Sequence, residues 1–272
     1  MITPFSTPFF CCPICRQPLE RKEKSLVCQN RHTFDVASSG QVNLLRAFGK
    51  KHGDNADMVT ARRRFLESGA YAPMRDAVTE LLLRYFDKGG ILLDSGCGEG
   101  YYTESFAKNT PLTVYGIDIS PKAAAMLAKK KCCGGVAVAS CYDLPIPDGA
   151  CDGITNIFSP FCREEFHRVL KPHGYVIDVI PAERHLFSLK EAIYETPYEN
   201  TVKPIGLEGF THRETKAVEA TFTLPSNEAI RDLMLMTPYF YRTGKDGHEK
   251  LQKLESLSVT ASFYLLVYQK DS

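Results

Sequence analysis

The chain of 272 residues is 44% hydrophobic and 24% charged, the make-up of an ordinary soluble globular protein, and its net charge of +1 leaves any nucleic-acid partner to be held by local patches. No apolar run approaches the ~20 residues a membrane helix needs, and the opening MITPFSTPFF lacks the basic leader and apolar core of a secretory signal. The ten cysteines, two pairs of them adjacent, read as reduced thiols of a cytosolic protein and not as a disulfide framework.

The first element is a candidate metal site. Cys12, Cys15, Cys28 and His32 form a C-x2-C-x12-C-x3-H array, in which each close pair grips one side of a tetrahedral ion. The RQPLERKEKSLV between them predicts a small hairpin with no core of its own, so metal would supply its stability, about 10–16 kcal/mol for structural zinc. Four protein ligands leave no open position, which makes the zinc structural. Cys11 is spare, either a free thiol or a substitute for Cys12.

From Thr33 to Lys51 the chain is polar, with FDVASSGQVNLL reading as a short strand or turn. Helices follow over Asp57 to Ala70 and from Pro73 through Phe86, the second with Met74, Val78, Leu81, Leu82 and Tyr85 on one face. After the break at Lys88-Gly89-Gly90, buried strands and helices alternate. Strands are expected at Ile91–Asp94, Leu112–Asp118, Val136–Ala139, Gly153–Ile157 and Tyr175–Ile180. Helices are expected at Tyr101–Lys108, Pro121–Lys131 and Cys162–Leu170. Such alternation specifies a doubly wound parallel sheet. Two later runs, Ala217–Phe222 and Val259–Tyr268, would complete it with an antiparallel edge.

The central signal is ILLDSGCGEG, residues 91–100. Asp94 ends a strand, and Gly96, Gly98 and Gly100 alternate before a helix whose amides can meet a ligand's negative end. A dinucleotide fingerprint would need its third glycine at Tyr101. The D-x-G-x-G-x-G pattern resembles instead the first motif of class I S-adenosylmethionine-dependent methyltransferases. Asp118, closing the next strand in VYGIDIS, sits where a carboxylate accepts ribose hydroxyls. DLPIPDGACD and RVLKPHGYVI resemble later motifs of the same superfamily. Where many of its members carry an adenine-side acid, this chain has Ser140.

Asn156-Ile157-Phe158-Ser159-Pro160-Phe161 occupies the usual place of acceptor-specific residues. It lacks the N/D-P-P-Y of exocyclic-amine enzymes and the Pro-Cys of cytosine-C5 enzymes, so Cys162 is read as a helix start without catalytic role. The zinc array, FDVASSGQVNLL, ARRRFLESGAYAPMRDA, LDSGCGEGYYT, RVLKPHGYVI and PAERHLFSLKEAIYE together resemble the large-subunit (23S) ribosomal RNA guanine-N1-methyltransferase family. Its members modify a hairpin loop near the macrolide-lined peptide tunnel. The resemblance covers nearly the whole chain, weakening between about Glu195 and Thr215 and near the C-terminus.

That resemblance implies an α/β chain in which a small zinc-binding domain precedes a Rossmann-like, seven-stranded class I methyltransferase domain. The division expected is 1–45 for the zinc-binding RNA-recognition module, 46–88 for a helical linker or lid and 89–272 for the methyltransferase domain. It implies zinc on Cys12, Cys15, Cys28 and His32. Around S-adenosylmethionine it implies Tyr71, Gly98, Glu99 and His185, beside Asp94, Gly96 and Asp118 of the loop and second strand. It also implies a homodimer. Guanine N1 carries a hydrogen that must leave before the nitrogen can attack, and Asp178 and Glu183, flanking the expected crevice, are the candidate bases. Arg21, Lys22, Lys24 and Arg31 are available for phosphates on the zinc module, and Lys50, Lys51, Arg62, Arg63 and Arg64 offer a second patch. The competing readings are a small-molecule methyltransferase with a zinc-braced lid and a non-catalytic RNA-binding protein on a degenerate Rossmann domain.

Overall fold

The computed structural model of the chain describes residues 9–46, 55–202 and 206–272; Lys50 and Lys51 of the second basic patch lie outside them. The chain opens with a three-stranded antiparallel sheet, β1 (Glu20–Lys22), β2 (Ser25–Val27) and β3 (Thr33–Asp35), in that order. Of these strand residues only Leu26 is buried, so the hairpin has no core of its own. It borrows one. Phe9, Phe10, Leu19 and Leu26 pack with Tyr115, Ile117 and Leu144, and Phe9 stacks on Tyr115 with ring centroids 3.9 Å apart. The Cys11 amide donates to Pro145 O at 2.8 Å, and Arg16 pairs with Asp143.

Strand β4 (Val42–Asn43) leads towards α1 (Ala56–Glu67), capped by the Asn55 side chain on the amides of Asp57 and Met58. Helix α2 (Ala72–Tyr85) starts with Pro73 in its first turn, where a missing amide hydrogen costs nothing. The α/β alternation then runs β5 (Gly90–Ser95), α3 (Tyr101–Asn109), β6 (Leu112–Asp118), α4 (Pro121–Lys130), β7 (Gly135–Val138), β8 (Cys151–Ile157), α5 (Arg163–Val169) and β9 (Leu170–Pro181). Thereafter come α6 (Phe187–Ile193), β10 (Phe210–Leu224), α7 (Asn227–Leu235), α8 (Tyr239–Arg242), α9 (Lys245–Gln252) and β11 (Leu257–Lys270).

The sheet order is β10-β11-β9-β8-β5-β6-β7-β4. Strands β5 to β9 are parallel, and β10 and β11 supply the antiparallel edge. Seven of these strands match the expected methyltransferase sheet. The eighth corrects the count: β4 pairs in parallel with β7, Val42 opposite Ala137 and Asn43 opposite Val138, tying the end of the N-terminal module into the sheet. Two residues are too short a run to show a strand period. Along the buried strands neighbouring residues face opposite cores. Leu92, Val114 and Ile177 meet α2 and α7, whereas Leu93, Tyr115 and Val176 meet α5 and the zinc hairpin. The C-terminal ends of the parallel strands therefore open into the crevice where a doubly wound sheet binds ligands.

Candidate active site and zinc centre

The ligand atoms of Cys12, Cys15, Cys28 and His32 lie within 4.8 Å of one another. Cys15 Sγ is 3.7 Å from Cys28 Sγ, and His32 Nδ1 is 3.5 Å from Cys12 Sγ and 3.4 Å from Cys28 Sγ. A tetrahedron with metal–sulfur bonds near 2.3 Å and metal–nitrogen bonds near 2.0–2.1 Å has S···S edges of about 3.8 Å and S···N edges of about 3.5 Å. The four residues fit zinc, with no position left for a substrate. Cys11 is not part of the cluster; buried against the methyltransferase side through Pro145, it remains a thiol whose pKa burial raises.

The glycine loop is shaped by close contacts. Gly96 has φ +80°, and a Cβ there would lie 2.5 Å from Ser159 Oγ. Gly100, φ +87°, would collide with Leu127 of α4 at 2.4 Å. Asp118 Oδ2 accepts from the Gly98 amide at 2.8 Å and Oδ1 from the Ser120 amide at 2.7 Å, so the carboxylate is fixed at the loop's mouth. Asp94 is turned the other way: Thr103 of α3 and Thr155 of β8, the latter at 2.9 Å, donate to its two oxygens. Burial pushes its pKa up to about 6, and its contacts brace β5 between helix and sheet. Glu99 is 3% exposed, 3.8 Å from Lys130 Nζ, with its pKa raised by burial.

Tyr71 and His185, 114 residues apart, come together. Tyr71 OH is 3.4 Å from His185 Nε2, and His185 Nδ1 is 2.9 Å from Ser262 O. A carbonyl only accepts, so Nδ1 carries the hydrogen and Nε2 accepts from the tyrosine. Burial lowers the His185 pKa to about 4, which keeps the ring neutral at pH 7. Both residues line a cavity of about 520 Å³ at the ends of β8 and β9, within the size range of small-ligand sites. Its walls include Phe158, Tyr239, Tyr241, Arg62 and Arg242. Phe158 holds a left-handed backbone, φ 54°, and leaves 38% of its surface exposed.

The two predicted bases lie beside this cavity and not in its wall. Asp178 directly precedes the lining residues Val179, Ile180 and Pro181. It accepts from Asn156 Nδ2 at 2.8 Å, and burial pushes its pKa up to about 6. The same Asn156 amide reaches Ser159 O at 3.0 Å, linking Asp178 to the turn that rests on Gly96. Glu183 accepts from Tyr264 OH at 2.9 Å. Of the second basic patch, Arg63 pairs with Glu67 at 2.6 Å and Arg64 with Asp232 at 2.7 Å, so both charges are locally balanced. Arg62 instead faces the cavity. Arg21, Lys22, Lys24 and Arg31 are exposed on the zinc hairpin.

Residues 10–52 match the family model described as "RlmA, N-terminal", a zinc ribbon, and residues 93–178 match "Methyltransferase domain". A Bacillus subtilis (strain 168) protein, YxjB, provisionally named a 23S rRNA (guanine-N(1)-)-methyltransferase, is 32% identical over 278 residues, spanning 96% of this chain and 97% of that one. The chain belongs to the 23S rRNA (guanine-N1)-methyltransferase family. A Streptomyces fradiae relative named 23S rRNA (guanine(748)-N(1))-methyltransferase is 36% identical over 189 residues, 67% of this chain and 66% of its own length. As a family member the chain is an S-adenosylmethionine-dependent methyltransferase with a zinc ribbon. The fold agrees, since its mostly parallel sheet carries the glycine loop between β5 and α3 and Asp118 at the end of β6. No helix among the described residues is long and apolar enough to cross a membrane.

Much of the cavity wall carries no motif in the sequence. Asn200, Met236 and Tyr239 come from segments in which no strand or helix is expected from the sequence. Phe158 lies in the segment that the sequence marks as the usual place of acceptor-specific residues, but its left-handed backbone conformation leaves no mark in composition.

Proposed function

We propose that the chain methylates N1 of a guanine in a hairpin loop of 23S ribosomal RNA, the base being swung out of its loop into the cavity. The carrying observation is the cavity itself: aromatic side chains and two arginines converge at the ends of β8 and β9 beside the glycine loop. Aromatic walls suit an unstacked base, and extrusion costs only a few kcal/mol from a loop. Helix α1 contributes Met58 and Arg62 to that wall, which supports a linker or lid role for the helical part of 46–88. The exposed Arg21, Lys22, Lys24 and Arg31 suit loop phosphates.

Bound S-adenosylmethionine supplies an activated methyl group that leaves sulfur as N1 bonds to it. The protein's own work is to orient the two reactants and receive the N1 proton. Gly96, Gly98, Glu99, Asp118, Tyr71 and His185 are proposed to hold the cofactor. Asp178, with a pKa near 6 and a position just below the cavity floor, is proposed as the proton acceptor, and Glu183 as the alternative. Asp178→Asn and Glu183→Gln decide between them, and near wild-type turnover in both would remove the assignment. A homodimer, checked by light scattering, would set two zinc modules about one RNA, and ribosomal RNA as substrate puts the reaction in the cytoplasm. The test of the whole reading is where label from S-adenosylmethionine goes. Incorporation into protein-free 23S rRNA supports it. Label entering only free metabolites would favour the small-molecule enzyme instead.

A further inference from the structure

Lys190, on α6, has 0% of its surface exposed. Its ammonium donates to two neutral acceptors, Tyr198 O and Asn200 Oδ1, each at 2.8 Å. It also lies over the rings of Tyr198 and Tyr239, 4.4 and 5.1 Å from their centroids, faces that favour a cation. The acid that acts on it, Glu199, is itself engaged by Arg184 at 2.8 Å. Burying an ammonium with no carboxylate against it is costly, and clamping the neighbouring segment does not require a charge.

Its surroundings point at the cavity. Asn200 and Tyr239 both line it, and Tyr239 OH donates to Asn200 Oδ1 at 3.3 Å. The Asn200 amide is fixed by Ala182 O at 2.8 Å. Lys190 therefore stands one side chain behind the wall. We propose that Lys190 is a positioning residue for methyl transfer: its charge raises the positive potential in the cavity and stabilises the negative charge that collects on O6 as guanine N1 loses its proton. Asp178, the proposed acceptor, would take that proton, and the electron pair left on N1 would form the bond to the methyl carbon as the sulfur–methyl bond breaks with its electrons staying on sulfur. A fixed charge in a water-poor site acts on such developing charge without reorganising. The inference rests on the cavity being the acceptor pocket.

The carboxylates beside the cavity are Asp178, the proposed proton acceptor, and Glu183, which accepts from Tyr264 OH; Glu191 on α6 is exposed. His185 is neutral, and Tyr198 and Tyr239 are phenols. Helix α9 buries Gly247 and Leu251 and leaves Asp246, His248, Glu249 and Lys250 at least partly exposed. Strand β11 carries no charged side chain between Leu257 and Gln269. Arg62 and Arg242 add to the same sign of potential.

The experiment is single-turnover methylation of 23S rRNA at saturating cofactor across the pH range, for wild type, Lys190→Gln and Lys190→Arg, with cofactor Kd and Tm measured alongside. Lys190→Gln keeps hydrogen-bond donors and drops the charge. Its acidic limb should move up by about one pH unit, a loss of about twofold at pH 7 that grows to about tenfold at about pH 5, with cofactor Kd unchanged. Lys190→Arg should restore the limb. A limb unmoved in Lys190→Gln, or a loss equal at every pH, would overturn the role of Lys190 while leaving the acceptor pocket standing. An inactive, zinc-loaded wild type would instead overturn the proposed function, and this inference with it.

Discussion

Gly96 offers the most quantitative test of the cofactor loop. Placing alanine there asks a side chain to adopt φ +80°, a left-handed conformation that costs an L-residue about 1–2 kcal/mol. The new Cβ would also sit 2.5 Å from Ser159 Oγ and 2.7 Å from Ser159 Cβ, and forcing that turn away adds about 1–3 kcal/mol. Gly98 is the internal control. Its φ is +55° and nothing lies within 4 Å of a Cβ, so alanine there bears the backbone cost alone, about 1–2 kcal/mol. With about 2–4 °C of Tm per kcal/mol in a chain of this size, Gly96→Ala should melt several degrees below Gly98→Ala in calorimetry. The steric part should vanish in Gly96→Ala/Ser159→Gly, which removes both clashing atoms, bringing that double variant to the level of Gly98→Ala. Equal melting of the two single variants, or no rescue by Ser159→Gly, would refute the packing of the Ser159 turn on the loop.

Stripping zinc with a chelator should lower the Tm of the whole chain and not of a separate small transition, because Phe9, Leu19 and Leu26 share a core with Tyr115 and Ile117; metal analysis should find one zinc per chain. For His185, whose pKa falls to about 4 in the fold from 6.5, the unfolded state takes up a proton first as pH falls. Its stabilising contribution is whole above pH 6.5 and declines towards pH 4, by about 3 kcal/mol. Denaturant titrations should show His185→Asn losing that much less between pH 7 and 4, the upward-shifted Asp94 and Asp178 cancelling between the two proteins. Replacing Arg21, Lys22 and Lys24 together by Ser should weaken RNA binding and flatten its salt dependence by a slope of about 2–3 if all three meet phosphates; filter binding at several salt concentrations reads it.

What the sequence made legible was local. The ligand spacing of Cys12, Cys15, Cys28 and His32 announces a tetrahedral site whatever surrounds it, and the alternation from Ile91 to Ile180 follows from each strand being buried on both faces. The glycines of the loop are explained by Ser159 and Leu127, partners 63 and 27 residues away, so the pattern was readable but its cause was not. Strand β4 is two residues long and becomes a strand only because β7 offers an edge. Helix α7 does carry a signal in the sequence, the Ser226 cap and the apolar Ile230, Leu233 and Met234. The cavity wall gathers Arg62, Phe158, His185, Asn200 and Tyr239 from five places in the chain, and Lys190 reads in sequence as one more surface lysine until the fold closes over it.

The measurement that bears most directly on the account is reverse transcription across 23S rRNA after incubation with zinc-loaded protein and S-adenosylmethionine, with the nucleosides of the product identified by mass spectrometry. Methyl on N1 blocks the Watson–Crick edge, so the account predicts a single cofactor-dependent stop beside a hairpin-loop guanine and the appearance of 1-methylguanosine. Methyl found on another atom, stops spread over paired regions, or no stop from protein that binds its cofactor would contradict it.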